Sequence, residues 1–135
     1  MKLLIDTNVI LDVLVRREKF YEKSRAVLKL CEAGKIQGYV TASSITDIFY
    51  IVRKALKDMD ETYKVVGALL EVVGVLSVTG ADVQRAFTVR AKDFEDCLMT
   101  ECAKSHKCDG IVTRDSKDFQ DFGITIHSPE EIVSQ

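Results

Sequence analysis

The sequence predicts an α/β fold in which a central parallel sheet is covered by helices on both faces. Short apolar runs such as residues 3–5 and 110–113 have the length of buried strands. Between them lie longer stretches whose apolar residues recur every three or four positions, as in amphipathic helices. Because the two kinds of segment alternate, we expect βαβ units and a three-layer α/β/α architecture.

Capping residues and glycines set the expected helix bounds. Asn8 is a good N-cap for the first helix, and Gly34 ends the second. Ser44 and Asp47 have the spacing of a capping box, which would start the third helix. In chain order, the predicted elements are a strand at 3–5, helices at 8–15 and 20–34, a strand at 37–40, helices at 44–56 and 60–73, a strand at 75–78, helices from 79 and from 93 to about 106, strands at 110–113 and 124–126, and a helical turn from 128.

The composition is that of an ordinary globular protein. The 135 residues, 47% hydrophobic and 30% charged, predict one domain spanning residues 1–135. No apolar run approaches the roughly 20 residues that cross a bilayer. The acid at position 6 also interrupts any signal peptide. We therefore expect a soluble cytoplasmic protein with no membrane partner.

Charge and cysteine usage argue against two further classes, although the charge does not exclude a nucleic-acid partner. The net charge of −2 argues against a general nucleic-acid binder, so any RNA would have to be held by a local basic rim. The four cysteines form no CxxC pair, and the two histidines are isolated. A zinc site or a disulfide framework is therefore not expected.

Two acids lie just beyond predicted strands. Asp6 comes directly after the apolar run 3–5, and Asp115 follows residues 110–113 with Arg114 between. An acid at this place can simply cap the next helix. The repetition favours a site, because ligands bind at the carboxyl ends of strands in parallel sheets.

Asp47 and Asp96 each lie three residues beyond a capping residue. A carboxylate at this position can stabilise the helix by interacting with its dipole. Asp82 has the same spacing after Thr79, so the pattern is not specific to a functional site. Local sequence alone therefore leaves both a capping role and a catalytic role open for Asp47 and Asp96. Asp93 is adequately explained as an N-cap, and Asp118 is either a further acid at the edge of the site or a cap.

If these acids meet, a metal ion is the simplest explanation. Two carboxylates about 4 Å apart repel by roughly 1 kcal/mol in water and about 4 kcal/mol at an effective dielectric constant of 20. With oxygen ligands only, Mg²⁺ or Mn²⁺ is expected rather than zinc. Such a site activates water and stabilises a leaving oxygen, so metal-assisted phosphoester hydrolysis fits.

Three segments together resemble the successive signatures of the PIN domain family. These are LLIDTNVILD, SSITDIFYIVRK and DFEDCLMTECAKSHKCDGIVTRDSKDF, and the resemblance covers essentially the whole chain. It implies an α/β/α fold and an Mg²⁺- or Mn²⁺-dependent ribonuclease. Compact members of this kind are most often VapC-like toxins, held inactive by an antitoxin protein and commonly homodimeric.

The resemblance also assigns roles to residues. The family's metal-binding and catalytic acids fall on Asp6, Asp47, Asp96 and Asp115, and supporting positions fall on Asn8, Thr113 and Asp118. One departure matters, because the second acid of the family is usually glutamate and Asp47 is shorter by one methylene. We interpret this as variation rather than inactivation.

RNA contacts are harder to predict. Basic residues near the expected site could bind phosphates or could be ordinary surface cations; these are Arg16, Arg17, Lys19, Arg114 and Lys117. Phe49 and Tyr50 could stack on bases, but Phe49 belongs to an apolar helical stripe, and a structural role is the expectation for both.

Two alternative functions remain open. One is an inactive PIN-fold interaction module, motivated by Asp47 and the acidic pI. The other is a haloacid-dehalogenase-like phosphatase, which also starts with an acid after an apolar strand. That family needs a second aspartate two residues later, where this chain has Asn8.

Overall fold

A computed structural model describes residues 1–119 and 121–135, and within these ranges the chain forms a five-stranded sheet and seven α-helices. The strands are β1 (Lys2–Ile5), β2 (Gln37–Thr41), β3 (Gly74–Leu76), β4 (Gly110–Val112) and β5 (Ile126–His127). The helices are α1 (Thr7–Leu14), α2 (Glu18–Glu32), α3 (Ala42–Leu56), α4 (Met59–Val72), α5 (Gly80–Val89), α6 (Phe94–Ser105) and α7 (Pro129–Val133), with a 3-10 helix at Ser116–Phe119.

The sheet is parallel throughout, with the strand order β3-β2-β1-β4-β5. The chain builds outward from β1 to β3 on one side and then crosses to β4 on the other. In β1 and β4, Ile5 lies opposite Val112, so the two strands end side by side. In open α/β sheets ligands bind at such a reversal of strand order, and the region beyond the carboxyl ends of β1 and β4 is called the crevice.

Apolar side chains fill both faces of the sheet. Successive residues of a strand point to opposite faces, so Leu3 and Ile5 join one core cluster and Leu4 joins the other. The first cluster takes residues from α1 to α4 and from α7, whereas the second takes Met99 and Cys102 from α6. The predicted three-layer α/β/α architecture is therefore confirmed.

Two predicted helix starts are wrong. Asp6, not Asn8, is the N-cap of α1, because its carboxylate accepts a hydrogen bond from the backbone N–H of Thr7. The helix α3 begins at Ala42, directly after β2, and Thr41 is its N-cap. Ser44 is consequently buried inside the first turn, where its Oγ lies 2.6 Å from Thr41 Oγ1, and the expected capping box with Asp47 does not form.

Two other predicted helix starts are confirmed. The capping box of Thr79 and Asp82 is present at the start of α5, and Asp93 caps α6. The four cysteines are unbridged. The strands shift slightly, since β3 begins one residue earlier than expected and β5 occupies Ile126–His127. No helix in the described ranges has the length and apolar character that a membrane crossing requires.

Candidate active site

Asp6 lies at the junction of β1 and α1, at the bottom of the crevice. Its side chain is 6% exposed. The hydroxyl of Thr113 donates to Asp6 Oδ2 at 2.7 Å, and the Thr7 N–H donates to Oδ1 at 2.7 Å. The Asp6 N–H also bonds to the carbonyl of Val112 at 2.9 Å. The sequence left capping and a site as alternatives for this acid, and Asp6 combines the cap with a place in the crevice.

Burial raises the pKa of Asp6 to about 6. The hydrogen bonds from Thr113 and Thr7 favour the ionised form and oppose this effect, whereas the negative charges of Asp115 and Glu95 add to it. These electrostatic contributions place Asp115 and Glu95 near Asp6.

Thr113 and Asn8 hold Asp115 in the same crevice. Thr113 is fully buried, and while its hydroxyl donates to Asp6 it accepts the N–H of Asp115 at 3.0 Å. Asn8 Nδ2 donates to Asp115 Oδ2 at 2.9 Å. Thr113 therefore contacts both Asp6 and Asp115, and Asn8 contacts Asp115.

Asp96 approaches from the first turn of α6. Its N–H donates to the carboxylate of the N-cap Asp93 at 3.0 Å. Burial raises the pKa of Asp96 to about 7, and the charges of Asp6, Asp93 and Asp118 contribute. The charge of Asp6 therefore acts on Asp96, as does the charge of the exposed Asp118.

Asp47 stands further out. It is exposed on α3, beyond the first turn, so helix capping does not explain it. Its charge is among the causes that raise the pKa of Glu95, after burial. Asp47 is not among the acids whose charges raise the pKa of Asp6 or Asp96. Its electrostatic effect on this group of acids is the one on Glu95.

Glu95 was not singled out by the sequence analysis. It is exposed in the first turn of α6; the charge of Asp47 helps to raise its pKa, and its own charge in turn acts on Asp6. The signal was present in the run Asp93-Phe94-Glu95-Asp96, but helix starts often collect acids for the dipole. Only the folded chain shows which of these acids faces the crevice.

Asp12 is a second residue that the sequence analysis missed. It is completely buried, and it accepts hydrogen bonds from Ser24 Oγ at 2.8 Å and from Arg114 Nε and Nη2 at 2.7 and 3.1 Å. The guanidinium of Arg114 also lies 3.7 Å from the ring centroid of Phe20. Arg114, one of the possible RNA contacts, is therefore a structural cation that anchors the segment between Thr113 and Asp115. The sequence signal that could have identified Asp12 is its place as the one acid among the buried residues of α1.

The donor set of the crevice suits a hard dication. Its ligands are carboxylate oxygens, and Asn8 Oδ1 is a buried acceptor that has no hydrogen-bond donor within the described part of the chain. As the side chains lie, residues 1–119 and 121–135 contain no group of three or more acids, cysteines or histidines arranged to hold a metal ion. Asp6 is linked to Asp115 through Thr113 and to Asp96 through its charge, and binding an ion would need side-chain adjustment.

Comparison with known proteins agrees with this architecture. The Ribonuclease VapC1 of Aquifex aeolicus (strain VF5) is 28% identical over 142 residues, covering 99% of this chain and 94% of that protein. A chain of the DNA-bound VapBC2 complex from Rickettsia felis superimposes with a TM-score of 0.74 at 14% identity, covering 95% of this chain and 98% of that one. A chain of the DNA-bound VapBC from Salmonella typhimurium gives 0.74 at 17% identity, with 96% and 98% covered.

The family assignment rests on the sequence match as well as on the fold. The family model described as the PIN domain matches residues 2–117, which include Asp6, Asp47, Asp96 and Asp115. The strand order and the crevice described above are compatible with that match. The chain therefore belongs to the PIN domain family.

Proposed function

We propose that this protein is an endoribonuclease that hydrolyses RNA phosphodiester bonds with the help of Mg²⁺ or Mn²⁺. The observation that carries the proposal is the link from Asp6 through Thr113 to Asp115 beyond the ends of β1 and β4, with the charge of Asp6 acting on Asp96, in a chain of the PIN domain family. The similarity to a ribonuclease over 99% of the chain supports RNA as the substrate.

In this proposal Asp6, Asp47, Asp96 and Asp115 hold the ion, and a bound dication would lower the pKa of an attacking water and offset charge on the phosphate. Thr113 favours the ionised form of Asp6 through its hydrogen bond. Asn8 fixes Oδ2 of Asp115. Because the pKa values of Asp6 and Asp96 are about 6 and about 7, protons compete with the ion, and cleavage should weaken as the pH falls through this range.

The direct test is RNA cleavage by single-residue variants. We expect Asp6→Asn and Asp96→Asn each to abolish cleavage in Mg²⁺ or Mn²⁺, and EDTA to abolish it in the unchanged protein. Asp58→Asn is the matched control, because Asp58 caps α4 and asparagine caps equally well. Cleavage that survives both site substitutions, or that EDTA leaves undiminished, would reject the proposal.

We also propose that the protein is the toxin of a toxin–antitoxin pair and acts in the cytoplasm. The structural neighbours include a toxin–antitoxin complex from Klebsiella pneumoniae at a TM-score of 0.70. Expression of the chain alone should stop bacterial growth, and Asp6→Asn should relieve the arrest. Continued growth with the unchanged protein present in soluble form would contradict a toxin role.

A groove between α2 and α4 is the surface that we assign to the antitoxin. It is lined by Leu14, Leu28, Val65, Ala68 and Val72, with Arg25 and Glu32 at its edge. An apolar segment of a partner protein fits such a groove. Val65→Glu should prevent capture of the antitoxin while RNA cleavage continues.

A homodimer is the proposed assembly. Phe87 and Phe94 are 73% and 42% exposed and lie together on a concavity formed by the end of α5 and the start of α6. Exposed aromatic side chains of this size are typical of interfaces. Phe87→Ser should convert the dimer to a monomer in sedimentation experiments, and an unchanged mass would place the interface elsewhere.

A further inference from the structure

The outer face of α3 carries an aromatic ring and three cations in line with the site acid Asp47. Tyr50 and Lys54 follow Asp47 at intervals of three and four residues, so they lie on one side of the helix, and Arg53 flanks them. Lys57 is the C-cap residue, just beyond the last turn. At about 1.5 Å per residue, Lys57 lies roughly 15 Å along the helix axis from Asp47. The feature is therefore a stripe that starts at the site and leads away from it.

Tyr50 has no packing role that would explain it. Its side chain is 62% exposed, so the expectation of a structural role is wrong for Tyr50. The neighbouring Phe49 is half-buried, and its ring packs edge-on against Tyr63 with centroids 4.9 Å apart. The two adjacent aromatics thus divide their roles, and the Tyr50 ring faces solvent with Lys54 Nζ 5.9 Å from its centroid.

The three cations of the stripe, like Tyr50, are free to contact a ligand. Arg53, Lys54 and Lys57 are exposed, and none of them is ion-paired with a carboxylate in the part of the chain that the structure describes. Together with Tyr50 they line one shallow concavity. Cations near the end of a helix favour the dipole, but the dipole does not require an exposed aromatic beside them.

The stripe has the composition of a site for single-stranded nucleic acid. Such sites combine cations that follow the phosphate backbone with aromatic rings on which bases stack. This concentration of positive charge contrasts with the net charge of −2 of the whole chain. By comparison, the predicted RNA contacts Arg17 and Arg114 are directed at the buried Asp12.

We propose that the stripe formed by Tyr50, Arg53, Lys54 and Lys57 on α3 binds the single-stranded RNA substrate on one side of the bond that is cleaved. This inference rests on the proposed ribonuclease function and adds the path of the substrate. Tyr50 stacks on a base, and the three cations contact successive phosphates. The α3 face then aligns the strand with the crevice and sets the distance between the anchored base and the cleaved bond.

The test separates binding from cleavage. Fluorescence anisotropy with a short, unstructured, fluorescein-labelled RNA is measured in the Asp96→Asn background, which we expect to be uncleaving. The paired variant Lys54→Gln/Lys57→Gln should bind more weakly and lower the slope of log K against log salt by about 1.4, since each phosphate contact on a single strand contributes about 0.7. Tyr50→Leu should bind between about 5 and 140 times more weakly, whereas Tyr50→Phe should bind normally.

A matched control is available at the opposite edge of the sheet. Lys35 and Lys107 are exposed and precede β2 and β4, so Lys35→Gln/Lys107→Gln removes the same charge far from the carboxyl ends. Lys107 also matches Lys57 in backbone conformation, with φ of 58° and 57°. Lys35→Gln/Lys107→Gln should change the RNA affinity by no more than about twofold. It should reduce the salt slope by less than half of the reduction expected for Lys54→Gln/Lys57→Gln.

The possible outcomes distinguish the two proposals. Equal losses in the α3 pair and the control pair would overturn the stripe and indicate charge effects alone. The stripe would be overturned if the α3 variants bound RNA with unchanged affinity and, in a protein that keeps Asp96, cleaved it normally. The ribonuclease proposal would then remain intact. A change of oligomeric state without a change of RNA affinity would assign the face to a second copy of the chain. A protein that neither binds nor cuts RNA would overturn both.

Discussion

Replacing Asp96 by asparagine should stabilise the metal-free protein while removing its activity. Burial and neighbouring acids raise the pKa of Asp96 from 3.8 to about 7. Without any correction for solvent, a pKa shift of this size corresponds to a free energy of about 4 kcal/mol that opposes ionisation of Asp96 in the folded state. Because the side chain is partly exposed, solvent screening reduces the figure to about 2 kcal/mol. Subtracting about 0.5 kcal/mol for the lost charge at the start of α6 leaves a gain of about 1–2 kcal/mol.

The sign of the pH dependence follows from the raised pKa. The folded state keeps the Asp96 proton to higher pH than the unfolded state, so this group destabilises the fold progressively as the pH rises from about 4 to about 7. The advantage of Asp96→Asn should therefore be largest near pH 8 and shrink as the pH falls toward 4. The same acids that would bind a dication make the empty crevice costly.

The assay is urea unfolding in EDTA at several pH values. Near pH 8, Asp96→Asn should raise the free energy of unfolding by the amount given above and the melting temperature by about 3–8 °C. Asp58→Asn, which removes a remote charge, should change the stability by less than about 0.5 kcal/mol. A gain that is absent at pH 8, or that is equally large at pH 4, would refute the electrostatic reasoning.

Three further predictions follow from the contacts of the crevice. Thr113→Val should cost about 1–3 kcal/mol of stability and move the acid limb of the cleavage profile to higher pH, because Asp6 loses a hydrogen bond that favours its ionised form. An unmoved limb in a pH–rate profile would contradict this. Glu95→Gln should move the same limb to lower pH, since it removes a charge that raises the pKa of Asp6. Arg114→Ala should cost about 3–5 kcal/mol in urea unfolding by leaving the buried Asp12 without its main partner, whereas an effect below about 1 kcal/mol would show that Ser24 and Arg17 suffice.

Much of the fold could be predicted because the signals are local. Alternation of apolar residues identifies a strand, and a three-to-four spacing identifies a helix, whatever the rest of the chain does. The strand-end positions of Asp6 and Asp115 followed from that alone. The start of α3 was mispredicted because Ser44 and Asp47 imitate a capping box, whereas β2 runs directly into the helix at Ala42.

The sequence by itself determined the order of the elements, the parallel sheet and the two acids that follow its strands. Tertiary structure alone decided that the charge of Glu95 acts on Asp6, and that Arg114 is directed at Asp12. The physical reason is distance along the chain. The contacts of Thr113 with Asp6 and of Arg114 with Asp12 join residues 107 and 102 positions apart, and they exist only because β4 pairs with β1. Patterns that span one helical turn or one pleat contain no information about such pairs.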